Sequence, residues 1–275
     1  MTFSTNGPLL LAGAGKMGGA ILKGLLAQGL DARSVIAQDP SPPPDVAALL
    51  ADNAIDVVPA IDELTEPPGV VLVAVKPQIM QGVLPGLAKL AGPDTLFLSI
   101  AAGQRLQTFE KFLPDAAVVR AMPNTPAAIL KGMSVAVANA QVTPAQRALA
   151  NAILSAVGEV EWVDDEALLD PVTAVSGSGP AYVFLLAEAM EDAARRQGLP
   201  DDTARTLVLQ TVLGAARMLT ESDEPPAELR RRVTSPGGTT QAAIETFERG
   251  GLRALVGEAI GNAAERGRQL SAAND

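Results

Sequence analysis

The feature that most constrains the fold of this chain is a glycine-rich loop between a short apolar run and a helical pattern. Residues 8–12 are apolar, and the sequence Gly13-Ala14-Gly15-Lys16-Met17-Gly18 leads from them into the helical pattern. A strand, a glycine loop and a helix in this order are the context in which G-x-G-x-x-G indicates a dinucleotide site. Gly13 then permits the tight turn, Gly15 lets the backbone approach a pyrophosphate, and Gly18 allows the helix to pack closely on the strand. The alternative is a plain strand-to-helix turn.

The first half of the chain alternates strand and helix patterns. Its strongest strand signal is the apolar run 70–75, which is typical of a strand buried on both faces. The pattern predicts an α/β, Rossmann-type dinucleotide-binding domain over residues 1–163. Ligands of such sheets gather at the carboxyl ends of the strands, so the residues that follow the strands should lie along one rim. Further strands are predicted over 35–38, 55–58, 96–100, 117–122, 134–137 and 159–163, and the rim residues are Gly13, Asp39, Lys76, Ala101 and Pro123-Asn124.

Three of these rim residues have two interpretations each. Asp39 lies about 20 residues after the glycine motif, where a carboxylate binds the ribose 2′-hydroxyl and favours NAD over NADP; equally, Asp39-Pro40-Ser41 opens a turn. Lys76 either faces the cofactor and its phosphates or ends a strand before a proline. Asn124, between two prolines, either orients a nicotinamide or a substrate or forms a structural turn.

The second half, residues 164–275, reads as all-helical. A helical pattern over 171–196 is interrupted by Ser-Gly-Ser-Gly-Pro at 176–180, and Asp201 or Asp202 is expected to cap the next helix. A loop is predicted over 221–226, followed by a short helix and then by helices over 240–250 and 252–270. Because small residues crowd the first helices and apolar helices often pair across a dimer, we expect at least a homodimer through this half.

A second glycine loop lies in this helical half, in the octapeptide 233–240, Val-Thr-Ser-Pro-Gly-Gly-Thr-Thr. Free backbone N–H groups at a helix start form a site for a small anion. The hydroxyl groups of Ser235, Thr239 and Thr240 add directional hydrogen-bonding groups at the same place. Two such loops in different halves suggest a chain that brings two anionic ligands together.

Composition excludes several classes of function. The net charge of −10 argues against nucleic-acid and membrane-surface partners, because phosphate tracks need clustered lysine and arginine. The chain has no cysteine and no histidine, which excludes disulfides, zinc–thiolate sites and histidine acid–base catalysis; we assign no metal site. No apolar run approaches the ~20 residues that span a bilayer, and residues 1–7 lack the features of a signal peptide. We therefore expect a cytoplasmic protein.

Six motifs, in order along nearly the whole chain, resemble the pyrroline-5-carboxylate reductase family. The glycine fingerprint is shared by many dehydrogenases, whereas the segments MPNTP, SGSGPAY and TSPGGTT are much more specific. The motifs cover residues 13–17, 74–78, 99–103, 120–126, 176–182 and 234–240.

The resemblance implies a Rossmann domain followed by a helical dimerisation domain, in a homodimer or an oligomer of dimers. It implies that backbone N–H groups of Ser235, Gly237, Gly238, Thr239 and Thr240 hold the carboxylate of 1-pyrroline-5-carboxylate, with Thr240 as the catalytic residue near the ring nitrogen. Many members prefer NADPH and carry Asn, Ser or Arg after the second strand, whereas Asp39 here favours NADH. We assign to cofactor binding Gly13, Gly15, Lys16, Met17, Gly18, Asp39, Val75, Lys76, Pro77, Ala101 and Asn124.

The expected chemistry agrees with the composition. A cyclic imine arrives partly protonated, so its reduction depends on orientation and on a hydrogen bond to nitrogen, and needs no histidine. Two alternatives remain. A β-hydroxyacid dehydrogenase-like enzyme needs a lysine in the helical domain, but the last lysine here is Lys131. A non-catalytic nucleotide-binding regulatory protein should have lost the substrate loop, which this chain retains.

Overall fold

The structure is a computed structural model that describes residues 7–61, 64 and 67–272. The chain divides into two compact units, Met1–Ser178 with Ala263–Asp275, and Gly179–Asn262. The signal-peptide prediction concerned residues 1–7, and residues 1–6 of that segment lie outside the described residues. In the part of the chain that the structure describes, no helix combines the length and the apolar character needed to cross a membrane.

The first unit is built on one sheet, which has eight strands in the described residues. Their order is β3-β2-β1-β4-β5-β6-β7-β8. Strands β1 to β6 pair in parallel, β7 is antiparallel to β6, and β8 is parallel to β7. The strands are β1 Leu9–Ala12, β2 Val35–Gln38, β3 Asp56–Val58, β4 Val70–Val73, β5 Leu96–Ser99, β6 Ala117–Met122, β7 Gly132–Ala138 and β8 Gly158–Trp162.

The predicted α/β class and all the predicted strands are confirmed. Strands β2 and β6 have the predicted bounds, but β4 ends at Val73 rather than at Val75. The reason is the close approach of two backbone segments. Gly13 packs so close to Ala74 and Val75 that an added Cβ would lie 2.8 Å from their main-chain atoms. A sequence pattern cannot reveal such an approach between distant segments.

The central parallel strands are buried on both faces, as their continuous apolar sequences predict. Alternate residues point to opposite faces, so Leu9 and Leu11 join one apolar core, with Ile21 of the first helix, while Leu10 and Val71 join the other. The helices of this unit are α1 Lys16–Ala27, α2 Pro44–Asp52, α3 Met80–Ala88, α4 Leu106–Phe112, α5 Pro144–Ser155 and α6 Leu169–Val172.

One charged side chain is buried in this sheet. Arg120 of β6 is only 6% exposed, and its guanidinium lies 2.7 Å from a carboxylate oxygen of Glu166. The same oxygen accepts a hydrogen bond of 2.8 Å from the N–H of Leu106, the first residue of α4. Glu166 therefore ties the sheet to the start of a helix, and removal of Glu166 would leave a buried charge without its partner.

The α-helical pattern is interrupted close to the predicted 176–180, but the interruption is a π-helical turn and not a break in helical structure. The chain continues from α6 through a π-helical turn, Thr173–Gly177, in which the N–H of Ser178 donates to the carbonyl of Thr173 at 2.8 Å. The next helix begins at Gly179. Glycine and serine have low helix propensity, but here a close contact explains the small residue: a Cβ on Gly177 would lie 3.1 Å from the Cε of Met122.

The helices of the second part of the chain match the predicted pattern except for one cap. Helix α8 begins at Asp201 with Pro200 as its N-cap, and no side chain caps it. Asp201 and Asp202 instead lie in the first turn, where the helix dipole stabilises negatively charged side chains. Asp201 also forms an ion pair of 3.0 Å with Arg195. The helices are α7 Gly179–Arg196, α8 Asp201–Glu221, α9 Pro226–Arg232, α10 Thr239–Arg249 and α11 Leu252–Ala272.

Candidate active site

The order of the strands creates a rim with a crevice. Strands β2, β1, β4, β5 and β6 are neighbours and parallel, so their carboxyl ends share one edge of the sheet. The chain runs from β1 to β2 on one side, while β4 pairs with the other side of β1. This reversal of strand order is the switch point where open α/β sheets bind ligands. The glycine loop after β1 lies at that point.

Two glycines of this loop are required by packing. Gly13 has a φ of +91°, and an added Cβ would lie 2.8 Å from the backbone of Ala74 and Val75. A Cβ on Gly18 would lie 2.8 Å from the carbonyl oxygen of Gly13 and 3.0 Å from side-chain carbons of Leu11 and Ala74. The tight turn and the close packing of helix on strand are therefore both present.

The third glycine faces open space. No atom lies within 4 Å of the position that a Cβ on Gly15 would occupy. Gly15 is the N-cap of α1, no side chain caps this helix, and its first turn contains no acidic residue. Because the first N–H groups of a helix have no intrahelical acceptor, those at Lys16 and Met17 remain available. This arrangement, with the helix dipole, fits a phosphate group.

Asp39 is held beside the glycine loop. Its carboxylate accepts hydrogen bonds from the N–H of Ala14 at 2.7 Å and from the N–H of Ser41 at 2.8 Å. The second bond is the turn that the sequence suggested, and the first fixes the carboxylate next to the loop. The two interpretations of Asp39 are thus compatible, since a turn residue in this position also lies beside the glycine loop.

The other predicted rim residues differ in exposure. Val75 and Ala101 are buried, whereas the side chain of Lys76 is exposed and has no ion-pair partner among the residues that the structure describes. Pro77 begins a short 3-10 turn, Pro77–Ile79. Lys76 is therefore the one of these four whose side-chain charge is free to meet a ligand.

Asn124 is bonded to backbone on both sides. Its Oδ1 accepts a hydrogen bond from the N–H of Met133 at 2.8 Å, and its Nδ2 donates to the carbonyl of Ser176 at 3.0 Å. The residue sits at the carboxyl end of β6, where it was predicted. Both of its polar atoms already have protein partners, which supports a structural part for this side chain.

The second glycine loop is a tight turn that precedes α10. The N–H of Gly238 donates to the carbonyl of Ser235 at 3.0 Å, Pro236 occupies the second position, and Gly237 has a φ of +71° in the third. These are the features of a type II turn. The N–H of Gly237 donates to Oε1 of Gln241 at 2.6 Å. The two glycine N–H groups therefore have internal partners.

The available backbone donors of this loop are the N–H groups of the two residues after Gly238. Gly238 is the N-cap of α10, and no side chain caps the helix, so the N–H groups of Thr239 and Thr240 have no intrahelical acceptor. Within the described residues, the hydroxyl groups of Ser235, Thr239 and Thr240 have no protein hydrogen-bond partner. The loop thus presents N–H and hydroxyl groups in one place.

Gln241, the third residue of α10, was not among the site residues predicted from the sequence. Its side chain bridges the N–H of Gly237 and, through Nε2, Oε1 of Glu245 at 2.7 Å. A glutamine three residues after the helix N-cap Gly238 is a known pattern for side-chain capping, so a signal was present. In this loop the glutamine bonds the residue before the N-cap.

The arginines of α9, the helix before the second glycine loop, are paired with nearby glutamates. Arg231 and Arg232 of α9 contact Glu228, and Arg232 also contacts Glu224. The hydrogen bond from Arg231 lowers the pKa of Glu228 below its ordinary value and raises the pKa of Arg231. These arginines are therefore engaged in ion pairs at the end of a helix.

Comparisons with known proteins agree along most of the chain. Residues 166–270 match a family model described as pyrroline-5-carboxylate reductase dimerisation, and residues 9–103 match one described as NADP oxidoreductase coenzyme F420-dependent. A pyrroline-5-carboxylate reductase of Pseudomonas aeruginosa is 49% identical over 260 residues, which cover 94% of this chain and 95% of that protein.

Solved structures give the same result. A pyrroline-5-carboxylate reductase of Coxiella burnetii superposes with a TM-score of 0.90 at 37% identity, covering 96% of this chain and 98% of the other. A pyrroline carboxylate reductase of Plasmodium falciparum with NADP bound superposes with a TM-score of 0.84 at 28% identity, covering 97% of this chain and 99% of the other.

Proposed function

This chain belongs to the pyrroline-5-carboxylate reductase family, and we propose that it reduces 1-pyrroline-5-carboxylate to L-proline with a nicotinamide cofactor. The observation that carries this proposal is the loop before α10, in which the N–H groups of Thr239 and Thr240 and three hydroxyl groups are available together. A cyclic imino acid presents a carboxylate for such N–H groups and a ring nitrogen for a hydroxyl.

The residues of the first unit fit the pyrophosphate of a dinucleotide. The open space at Gly15 admits a ligand against the backbone, and the free N–H groups of Lys16 and Met17 point out of the helix start. The exposed Lys76 adds a positive charge on the same rim. When bound, the reduced nicotinamide supplies the hydride.

The chain's own part in the reaction is orientation. We assign the substrate carboxylate to the N–H groups of Thr239 and Thr240, with the hydroxyl of Ser235 as a further donor. We assign the hydroxyl of Thr240 to a hydrogen bond with the ring nitrogen. This bond orients the imine for hydride transfer and does not require a strong acid. Orientation of this kind supplies much of a rate enhancement, and the absence of histidine from the sequence is then no obstacle.

The proposal is tested by following nicotinamide absorbance with 1-pyrroline-5-carboxylate, NADH and NADPH. We expect oxidation of the cofactor and a fall of about 10- to 100-fold in kcat for Thr240→Ala, since a transition-state hydrogen bond is lost. Thr246→Ala is the matched control, because Thr246 lies in the same helix and its hydroxyl donates to the carbonyl of Ala242 at 2.9 Å. Wild-type protein that oxidises neither cofactor would overturn the proposal, and unchanged kcat in Thr240→Ala would overturn the assignment of Thr240.

The cofactor preference is proposed to be NADH, because of Asp39. Its carboxylate is fixed at the adenosine side of the glycine loop by the N–H of Ala14, where it would bond a ribose 2′-hydroxyl and repel a 2′-phosphate. Asp39→Ser should raise kcat/KM for NADPH relative to NADH by at least about 10-fold. If the ratio of kcat/KM for NADPH to that for NADH is unchanged, Asp39 does not determine the cofactor preference.

We also propose that residues 164–275 supply substrate binding and a homodimer interface, with oligomers of dimers as a further expectation. Large apolar side chains are exposed on the helices of the second unit, among them Phe184 and Leu185 at 66% and Leu255 at 61%. Exposed apolar surface of this extent is typical of interaction sites. Light scattering should give at least twice the chain mass, and Phe184→Glu should reduce it; a monomeric wild type would overturn the proposal.

A further inference from the structure

Asn124 joins two segments that are far apart in sequence. Its amide bonds Met133 at the start of β7 and Ser176 in the π-helical turn. Asn124 itself follows directly on Met122-Pro123, at the carboxyl end of β6. One side chain therefore holds the end of one rim strand, the start of the next strand and the π-helical turn together.

The carbonyl of Ser176 lacks its usual α-helical donor. In an α-helix this carbonyl would accept from the N–H four residues later, but that residue is Pro180, which has no N–H. Nδ2 of Asn124 donates to this carbonyl at 3.0 Å. The adjacent residue, Gly177, packs against Met122, since a Cβ on Gly177 would lie 3.1 Å from the Cε of Met122.

The place of this contact on the rim gives it a functional meaning. Asp39, after β2, marks the adenosine half of a bound dinucleotide, so the half formed by β4, β5 and β6 is left for the nicotinamide. Asn124 lies at the end of β6. The chain also leaves the first unit at Ser178, two residues after the carbonyl that Asn124 holds.

We propose that Asn124 is a positioning residue for the reduction, an inference that rests on the proposed function. It fixes the end of β6 against the π-helical turn and contacts neither the cofactor nor the substrate. Loss of the amide donor then displaces the nicotinamide half of the rim and lowers kcat, while the pyrophosphate cradle at Gly15 keeps its affinity.

The decisive variant is Asn124→Asp, which keeps the shape of the side chain and the acceptor for Met133. When its carboxyl is ionised it cannot donate to the carbonyl of Ser176, and when protonated it can. We expect kcat to fall by about 10- to 100-fold at pH 8 and to recover, relative to the wild type, as the pH is lowered and the carboxyl takes up a proton. The Kd for the reduced cofactor, from its fluorescence, should stay within about twofold of wild type.

Two further variants separate positioning from folding. Asn151→Asp is the matched control, because Asn151 also accepts from one side chain, Trp162, and donates to another, Ser155, on the surface of the same unit; its kcat should follow the wild type at every pH. Asn124→Ala removes both bonds without adding a charge, so its kcat should be low at every pH. Rates are divided by the number of cofactor-binding sites, so that unfolded protein does not enter kcat.

Three outcomes would overturn the inference. These are a kcat of Asn124→Asp equal to wild type at every pH, a loss that does not recover at low pH, or a loss matched by weaker cofactor binding, which would make Asn124 a cofactor ligand. If the wild type itself reduces nothing, the proposed function fails first, and cofactor affinity of the variants still tests whether Asn124 is a ligand.

Discussion

The two loops of this chain are both rich in glycine but need their glycines for different reasons. In the loop after β1, Gly13 and Gly18 are packed against backbone and side chains at 2.8–3.0 Å. In the loop before α10, Gly237 has a positive φ but open space around it. The first loop is thus part of the core of its unit, whereas the second is a surface turn. A glycine pattern alone does not separate these two cases.

The largest expected effect is a loss of stability on substitution of Gly13 in the first loop. Gly13→Ala combines a φ of +91° with contacts of 2.8 Å to backbone, so we expect a loss of about 3–5 kcal/mol in the free energy of unfolding. Gly237→Ala is the matched control, since it faces a φ of +71° in open space and should lose about 1–2 kcal/mol. Urea unfolding of the ligand-free variants measures both. Equal losses would contradict the contrast between the loops.

A second substitution tests whether the open side of the first loop receives a ligand. Gly15→Ala places its methyl group where no protein atom lies within 4 Å, so the stability should change by less than about 1 kcal/mol. Its Kd for the reduced cofactor should rise about 10-fold, because the methyl group holds the pyrophosphate away from the helix start. Fluorescence titration and thermal unfolding give the two values. A variant with wild-type affinity would show that the ligand approaches elsewhere.

The smallest effect concerns the side chain that holds the second loop. Gln241→Leu removes the acceptor of the Gly237 N–H, and we expect KM for the imine substrate to rise about 3- to 10-fold, in line with one net hydrogen bond. Gln269→Leu is the control, because Gln269 bonds a glutamate four residues away, as Gln241 does, but on α11. A lower KM in Gln241→Leu would instead mean that Gln241 occupies the place of the substrate carboxylate.

Much of the fold was predictable because its signals are local. Continuous apolar strands such as Val70–Val73 and the glycine loop after β1 follow from hydrophobic burial and from turn geometry within a few residues. The π-helical turn at Thr173–Gly177 was not predicted, and its contacts with Met122 and Asn124 come from distant parts of the chain. The cap of α8 was also assigned wrongly, since proline and aspartate are both acceptable at a helix start.

The candidate site divides in the same way. The sequence indicated the segments of both loops, because glycine, proline and hydroxyl residues in that order have few other uses. It did not indicate which N–H groups are available. That depends on partners such as Gln241 for Gly237 and Asp39 for Ala14, which only the folded backbone brings within 2.6–2.7 Å.

The sequence by itself determined the class of the chain: an α/β half with a dinucleotide loop, a helical half with a second loop, and chemistry without cysteine or histidine. These properties depend on residue type and short-range order. The tertiary structure decided which glycines are packed and which are open, and it placed Asn124 between Met133 and Ser176. Those properties depend on atoms that are far apart in the chain, and steric contact and hydrogen bonding act only after folding has brought the atoms together.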